Sequence, residues 1–183
     1  MSTLPSLPEF GSRAPDFALP DLDGRIVRLA DIRGEHGTLV MFICNHCPYV
    51  RSVIDRIVED SRALIAEGIG VVAIMSNDYR AYPADAPDRM RAFATEHGFP
   101  FPYLLDETQM VARAYEAVCT PDFFGYDADL ALRYRGRLDA SKTTPVPNAR
   151  RELLEAMRRI AATGQGPAEQ IPSMGCSIKW RAA

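Results

Sequence analysis

Apolar and polar positions alternate in a way that divides the chain into short strands and amphipathic helices. The run Thr38 to Ile43 is apolar and rich in β-branched and aromatic residues, which predicts a buried strand. A second continuous run, Ile69 to Met75, predicts a parallel strand buried on both faces. Between them Val50, Val53, Ile54, Ile57, Leu64 and Ile65 recur at helical spacing, with Ser61 completing the stripe. Pro48 opens this helix and Gly68 stops it. Upstream, Ala14 to Leu19 and Arg25 to Leu29 form a hairpin about the turn Asp23-Gly24, followed by a loop over 31–37. Downstream, Asp88 to His97 is a helix ended by Gly98, Phe101 to Asp106 an extended segment, and Thr108 to Val118 another helix. Phe123 to Asp127 and Ala131 to Tyr134 are consecutive strands of a second hairpin. Asn148 to Ala162 is a last amphipathic helix, with Leu153, Leu154, Met157 and Ile160 inward and Asn148 as N-cap.

This order predicts an α/β/α sandwich around a central mixed sheet, parallel strands first and an antiparallel hairpin after. At 183 residues one domain is expected over 14–162, with a Pro-containing surface arm over 1–13 and a tail over 163–183 that carries Cys176. The loop Ser76 to Pro87 follows a central strand at the end where open α/β sheets place their ligands. A charged fraction of 25% and a net charge of −3 give no sign of a nucleic-acid or anionic-membrane partner. With no apolar stretch long enough for a signal or a span, a cytoplasmic address is expected. There a cysteine pair is catalytic or metal-binding rather than structural.

The chemistry concentrates where the central strand ends, in Cys44-Asn45-His46-Cys47-Pro48. Proline is favoured at the first helical position, so Cys47 falls at the N-cap. There unpaired N–H groups and the positive end of the helix dipole favour a thiolate. C-x-x-C beside a βαβ pattern is a redox signal. His46, next to the sulfur, can support the thiolate or shuttle a proton near neutral pH. Tyr79, Tyr82, Phe123 and Phe124 are candidates to line a groove.

With these residues in place, the chain over roughly 11–162 resembles the thioredoxin-fold redoxins, and most of all their peroxiredoxin-like branch. The likeness rests on Ala14-Pro15-Asp16-Phe17, the strand into Cys47-Pro48, Cys119-Thr120-Pro121 ahead of Phe123 to Asp127, and the tail Gly175-Cys176-Ser177-Ile178-Lys179-Trp180. The resemblance implies that Cys47 is the attacking cysteine; the second cysteine of a thioredoxin motif would fall on Val50. It also implies a cis bond at Thr120-Pro121 facing that sulfur, with the Thr120 backbone free to pair with an extended substrate peptide. Pro48 and Asn45 complete the expected substrate contacts. The chain departs from each family's pattern. Met41 stands where thioredoxins keep a buried acid. Cys44 stands where peroxiredoxins keep a threonine, and Pro121 lies where their peroxide-polarising arginine would fall.

The expected reaction is thiol–disulfide exchange by Cys47, resolved by Cys44, Cys176 or Cys119, in that order for the first two. No cofactor is expected. The partners are a disulfide-bearing protein or small oxidised substrate and a cellular thiol reductant, acting on a monomer or dimer. Two alternatives use the same residues. One is a thiol peroxidase passing through a Cys47 sulfenic acid. The other is a copper or zinc carrier with Cys44, His46, Cys47 and Cys119 as ligands, though the spacing is shorter than the C-x-x-x-C of such carriers and no histidine follows His97.

Overall fold

A computed structural model describes residues 2–3 (backbone) and 7–183 of the chain. The central sheet has five strands in the order β6-β5-β4-β8-β9: β4 (Gly37–Phe42), β5 (Ile69–Met75), β6 (Tyr103–Leu105), β8 (Asp122–Tyr126) and β9 (Leu132–Tyr134). β5 pairs parallel with both β4 and β6, whereas β8 runs antiparallel to β4 and to β9. The runs of apolar residues in β4 and β5 are explained by this placement. Leu39, Met41 and Ile43 pack into a core on one face with α3 (Ile54–Ala66), α4 (Pro87–His97) and α6 (Glu152–Thr163). Val40 and Phe42 pack into a second core on the other face, against Leu29, Ala112 and Tyr115. A strand with cores on both sides has no polar face to show, so its sequence does not alternate.

The N-terminal hairpin is present but short, as β2 (Ala18–Pro20) paired with β3 (Ile26–Arg28). Leu29–Ile32 then forms a single helical turn, α1. The expected arm spans 1–13, of which residues 7–13 are largely exposed; residues 1 and 4–6 lie outside the described residues.

Several expected boundaries move for local reasons. The helix after Pro48 is two helices, α2 (Pro48–Arg51) and α3. At the break the Ser52 hydroxyl donates to the Lys142 carbonyl at 2.5 Å and lies 3.2 Å from the Tyr49 carbonyl, and the Val53 amide bonds to Val50 rather than continuing the ladder. Val58 takes the buried place expected of Ile65, which is 40 % exposed. The helix expected over Thr108 to Val118 contracts to α5 (Met110–Ala114), because Gln109 and Glu116 on either side have φ of 65° and 56°. Asn148, at φ 53°, cannot hold an N-cap conformation, and α6 starts four residues later.

The tail is not loose. Gly175–Ser177 forms β10, the middle strand of a small sheet between β1 (Ser2–Thr3) and β7 (Cys119–Thr120). Among the described residues no helix is long and apolar enough to cross a membrane.

Candidate active site

Strand β4 hands the chain to α2 through Ile43 to Cys47, and β7 approaches from the side. Cys47 occupies the N-cap of α2 with Pro48 at the first helical position. Its sulfur is fully buried, and as a thiol it donates to the Thr120 carbonyl at 3.2 Å. The Thr120–Pro121 peptide bond is cis. The Cys44 sulfur lies 3.4 Å from the Thr120 hydroxyl, so both sulfurs of the C-x-x-C face the same residue. Cys176 on β10 pairs antiparallel with Thr120, which brings the tail sulfur to the same point.

Electrostatics separate these thiols. Cys47 is pulled down to about 5, first by the Cys44 thiol that donates to its thiolate, then by Cys176 and Thr120, against the opposing cost of burial. Cys44 is correspondingly pushed well up, by sharing that proton and by burial, and the Asp85 carboxylate adds to the effect. Cys176 rises to about 11 through burial and the neighbouring Cys47 charge. Cys119 rises through burial; its sulfur is directed to the Pro121 carbonyl at 3.6 Å, and it is the one cysteine not brought into the cluster. Hydrogen-bond donors from Cys44, Cys176 and Thr120 thus join the N-cap position expected from the sequence.

His46 is held by a residue the sequence did not single out. Its Nδ1 lies 2.6 Å from Oδ2 of Asp85, a fully buried carboxylate from the Ser76–Pro87 loop. This contact raises the His46 pKa, against partial desolvation. Burial alone would raise Asp85, but His46, the Asn77 side-chain amide (2.9 Å) and the Asn45 backbone N–H (2.8 Å) hold it low. Asn45 is part of this scaffold. It is buried, its side-chain amide donates to the Ala84 carbonyl at 3.1 Å, and its carbonyl accepts from the Tyr103 hydroxyl at 2.8 Å. Only the loop position hinted at Asp85; no spacing in the sequence links it to His46. Pro48 is exposed at the mouth of the site, while Pro121 is buried. Tyr82 stacks on His46 with centroids 6.1 Å apart, Tyr79 donates to Glu107, and Phe123 and Phe124 lie in the core.

Beside the site, a cavity of about 310 Å³ has apolar walls from Tyr49, Val53, Pro121, Phe123, Leu138 and Met174. Arg135, the buried arginine nearest the cis turn, is committed to Asp122 at 3.2 Å and to the Glu116 carbonyl at 2.8 Å. For a metal, Cys44, His46 and Asp85 offer donor atoms within 4.8 Å of one another. Asp85 already accepts from the Asn45 and Asn77 N–H groups and lies against His46, and Cys119 points elsewhere, so the ligand set Cys44, His46, Cys47 and Cys119 is not assembled.

Comparison with known proteins agrees with the fold. Solved structures of an uncharacterised conserved protein from Geobacillus kaustophilus and a hypothetical protein from Sinorhizobium meliloti superpose with TM-scores of 0.94 each. They are 43% and 37% identical, covering 100% and 99% of this chain and 98% and 100% of theirs. A Mycobacterium tuberculosis protein whose name assigns it provisionally to the peroxiredoxins is 25% identical over 84% of this chain and 87% of its own. The thiol-disulfide oxidoreductase ResA of Geobacillus thermodenitrificans is 29% identical over 64% of this chain and 63% of its own. The pattern of the AhpC/TSA family matches residues 10–135, and the chain belongs to that family.

Proposed function

We propose that this protein is a thiol–disulfide oxidoreductase in which Cys47 attacks and Cys176 resolves. The observation that carries the reading is the meeting of one acidified sulfur, Cys47, with a second, partly exposed sulfur on a strand paired to Thr120. The Cys47 thiolate attacks one sulfur of a substrate disulfide. A Cys47–substrate disulfide forms, the original bond breaks, and the other substrate sulfur leaves as thiolate. His46, beside Asp85, gives that leaving group its proton. Cys176 then attacks the Cys47 sulfur, passing its proton to the departing substrate thiol and leaving a Cys47–Cys176 disulfide. A cellular dithiol reductant restores both thiols.

Cys176 is preferred to Cys44 as resolver for a geometric reason. Cys44 is buried at the end of β4 and its proton stabilises the Cys47 thiolate, whereas Cys176 lies on a tail that is only partly buried. A peroxide offered to Cys47 would give a sulfenic acid that Cys176 condenses with, releasing water. With Arg135 engaged to Asp122, that guanidinium does not serve this second reaction by polarising the peroxide. The proposed address is the cytoplasm, where a thiol reductant is at hand; cell fractionation checks it.

The test is turnover of an insulin or small-molecule disulfide with a dithiol reductant. Cys47→Ser abolishes it, Cys176→Ser accumulates the Cys47 mixed disulfide, and Cys119→Ser retains activity. Full activity in Cys47→Ser refutes the reading. Faster consumption of hydrogen peroxide than of disulfide would replace it with the peroxidase.

A further inference from the structure

Cys47 combines low pKa with zero exposure, and the tail lies against it, Cys176 being one of the groups that bond its sulfur. β10 lies along β7 with Cys176 opposite Thr120 and Ser177 opposite Cys119. The tail is then clamped beyond the strand. The Lys179 amide donates to the Asn77 side chain at 2.8 Å, the Lys179 carbonyl accepts from Gln109 at 2.9 Å and from the Asp78 amide at 2.8 Å, and the Arg181 amide donates to Gln109 at 2.9 Å. Arg113 lies 4.4 Å from the centre of the Trp180 ring. Ile178 is buried in the second core and its amide donates to the Val118 carbonyl at 3.0 Å, so displacing the strand also draws out one core side chain. The rest of the hold is hydrogen bonds, Arg181 ion pairs with Asp78 and Glu107, and one exposed stacking contact, the kind that opens locally without unfolding the domain.

Position 175 adds a second observation. Gly175 does not adopt a left-handed conformation, so its backbone does not call for glycine. A Cβ there would instead sit well inside contact distance of the Thr120 carbonyl oxygen and 3.1 Å from the Pro121 nitrogen, both rigid backbone atoms. The strand can lie beside Thr120 with its cysteine over Cys47 only if the residue before that cysteine has no side chain.

Building on the Cys47 reading, we propose that Gly175–Ser177 is a displaceable strap standing where an incoming cysteine peptide binds, and that the site selects peptides in which glycine precedes the cysteine. Opening of the clamp exposes the sulfur and the Thr120 edge. An extended partner takes the register of β10, Cys47 attacks its disulfide, and return of the strap delivers Cys176 to resolve the product. The same Thr120 edge that holds the strap in place thus sets partner choice by steric exclusion.

The probe is the peptide acetyl-Met-Gly-Cys-Ser-Ile-amide disulfide-linked to thionitrobenzoate, alongside its Met-Ala-Cys and Met-Val-Cys counterparts. Attack by Cys47 on the peptide sulfur forms the Cys47–peptide disulfide and releases the coloured thiolate. The glycine peptide should react about ten-fold faster than the alanine peptide, and the valine peptide slower still. A chain ending at Ile178 loses the clamp but keeps Cys176, and it should react about ten-fold faster with every peptide and with iodoacetamide. Gly175→Ala in the full chain, prying the strand from Thr120, should also speed alkylation of Cys47 and shift the emission of Trp180, the single tryptophan. Equal rates for the three peptides, or unchanged Cys47 alkylation in both variants, overturn the strap. If no peptide releases thionitrobenzoate and Cys47 resists alkylation at pH 7 even in the shortened chain, the nucleophile reading falls, and the strap with it.

Discussion

Replacing Cys44 by alanine should make Cys47 a less acidic thiol without touching Cys47 itself. Cys47 titrates at about 5, roughly 4 pH units below the ordinary value of 9.0, and the largest favourable contribution comes from the Cys44 thiol. A hydrogen bond to a charged group contributes about 1.5–3 kcal/mol, and about 1.4 kcal/mol corresponds to one pH unit, so the Cys47 pKa should rise by about 1–2 units. At pH 5.5 the thiolate fraction then falls from roughly three-quarters to roughly a tenth, and alkylation slows about seven-fold. At pH 9 the two proteins should alkylate at nearly equal rates, which separates acidity from access. Cys44→Ser, which keeps a short donor, should restore most of the wild-type profile. The assay is the iodoacetamide rate at Cys47 followed by mass spectrometry from pH 4 to 9. An unchanged midpoint in Cys44→Ala would show that the C-x-x-C pair does not set the acidity.

Other outcomes follow from the same geometry. Asp85→Asn removes the carboxylate 2.6 Å from His46, so the His46 titration measured by NMR should move to lower pH, and the basic limb of turnover should move down with it. Arg135→Ala leaves Asp122 buried and unpaired and should cost about 3–5 kcal/mol in urea unfolding, part of which Asp122→Asn in the same chain returns. Because Cys47 has a lower pKa folded than unfolded, its stabilising contribution is complete above about 9, shrinks as pH falls, and is gone below about 5. The stability difference between wild type and Cys47→Ser should therefore narrow across that window; an unchanged difference would mean an ordinary thiol.

The sheet was legible because its strands announce themselves locally. Thr38 to Ile43 and Ile69 to Met75 have no polar face, and a central strand with a core on each side needs none. The turn Cys44 to Pro48 and the Thr120-Pro121 dipeptide were legible for a similar reason, since each motif is contiguous. Helix ends were less so: left-handed Gln109, Glu116 and Asn148 carry no glycine to mark them. Long-range pairings were hidden altogether. Asp85 meets His46 across 39 positions, and Cys176 reaches Thr120 across 56, through contacts that no periodicity encodes. No strand was predicted in the tail because three residues leave too short a pattern to read. Its glycine makes sense only beside the Thr120 carbonyl.

The most direct measurement is peptide mapping of the wild-type protein after one equivalent of a small disulfide oxidant under native conditions. The account predicts a single new intramolecular bridge, Cys47–Cys176, with Cys44 and Cys119 still alkylatable after unfolding. A bridge between Cys44 and Cys47, or oxidation that spares Cys47, would contradict it.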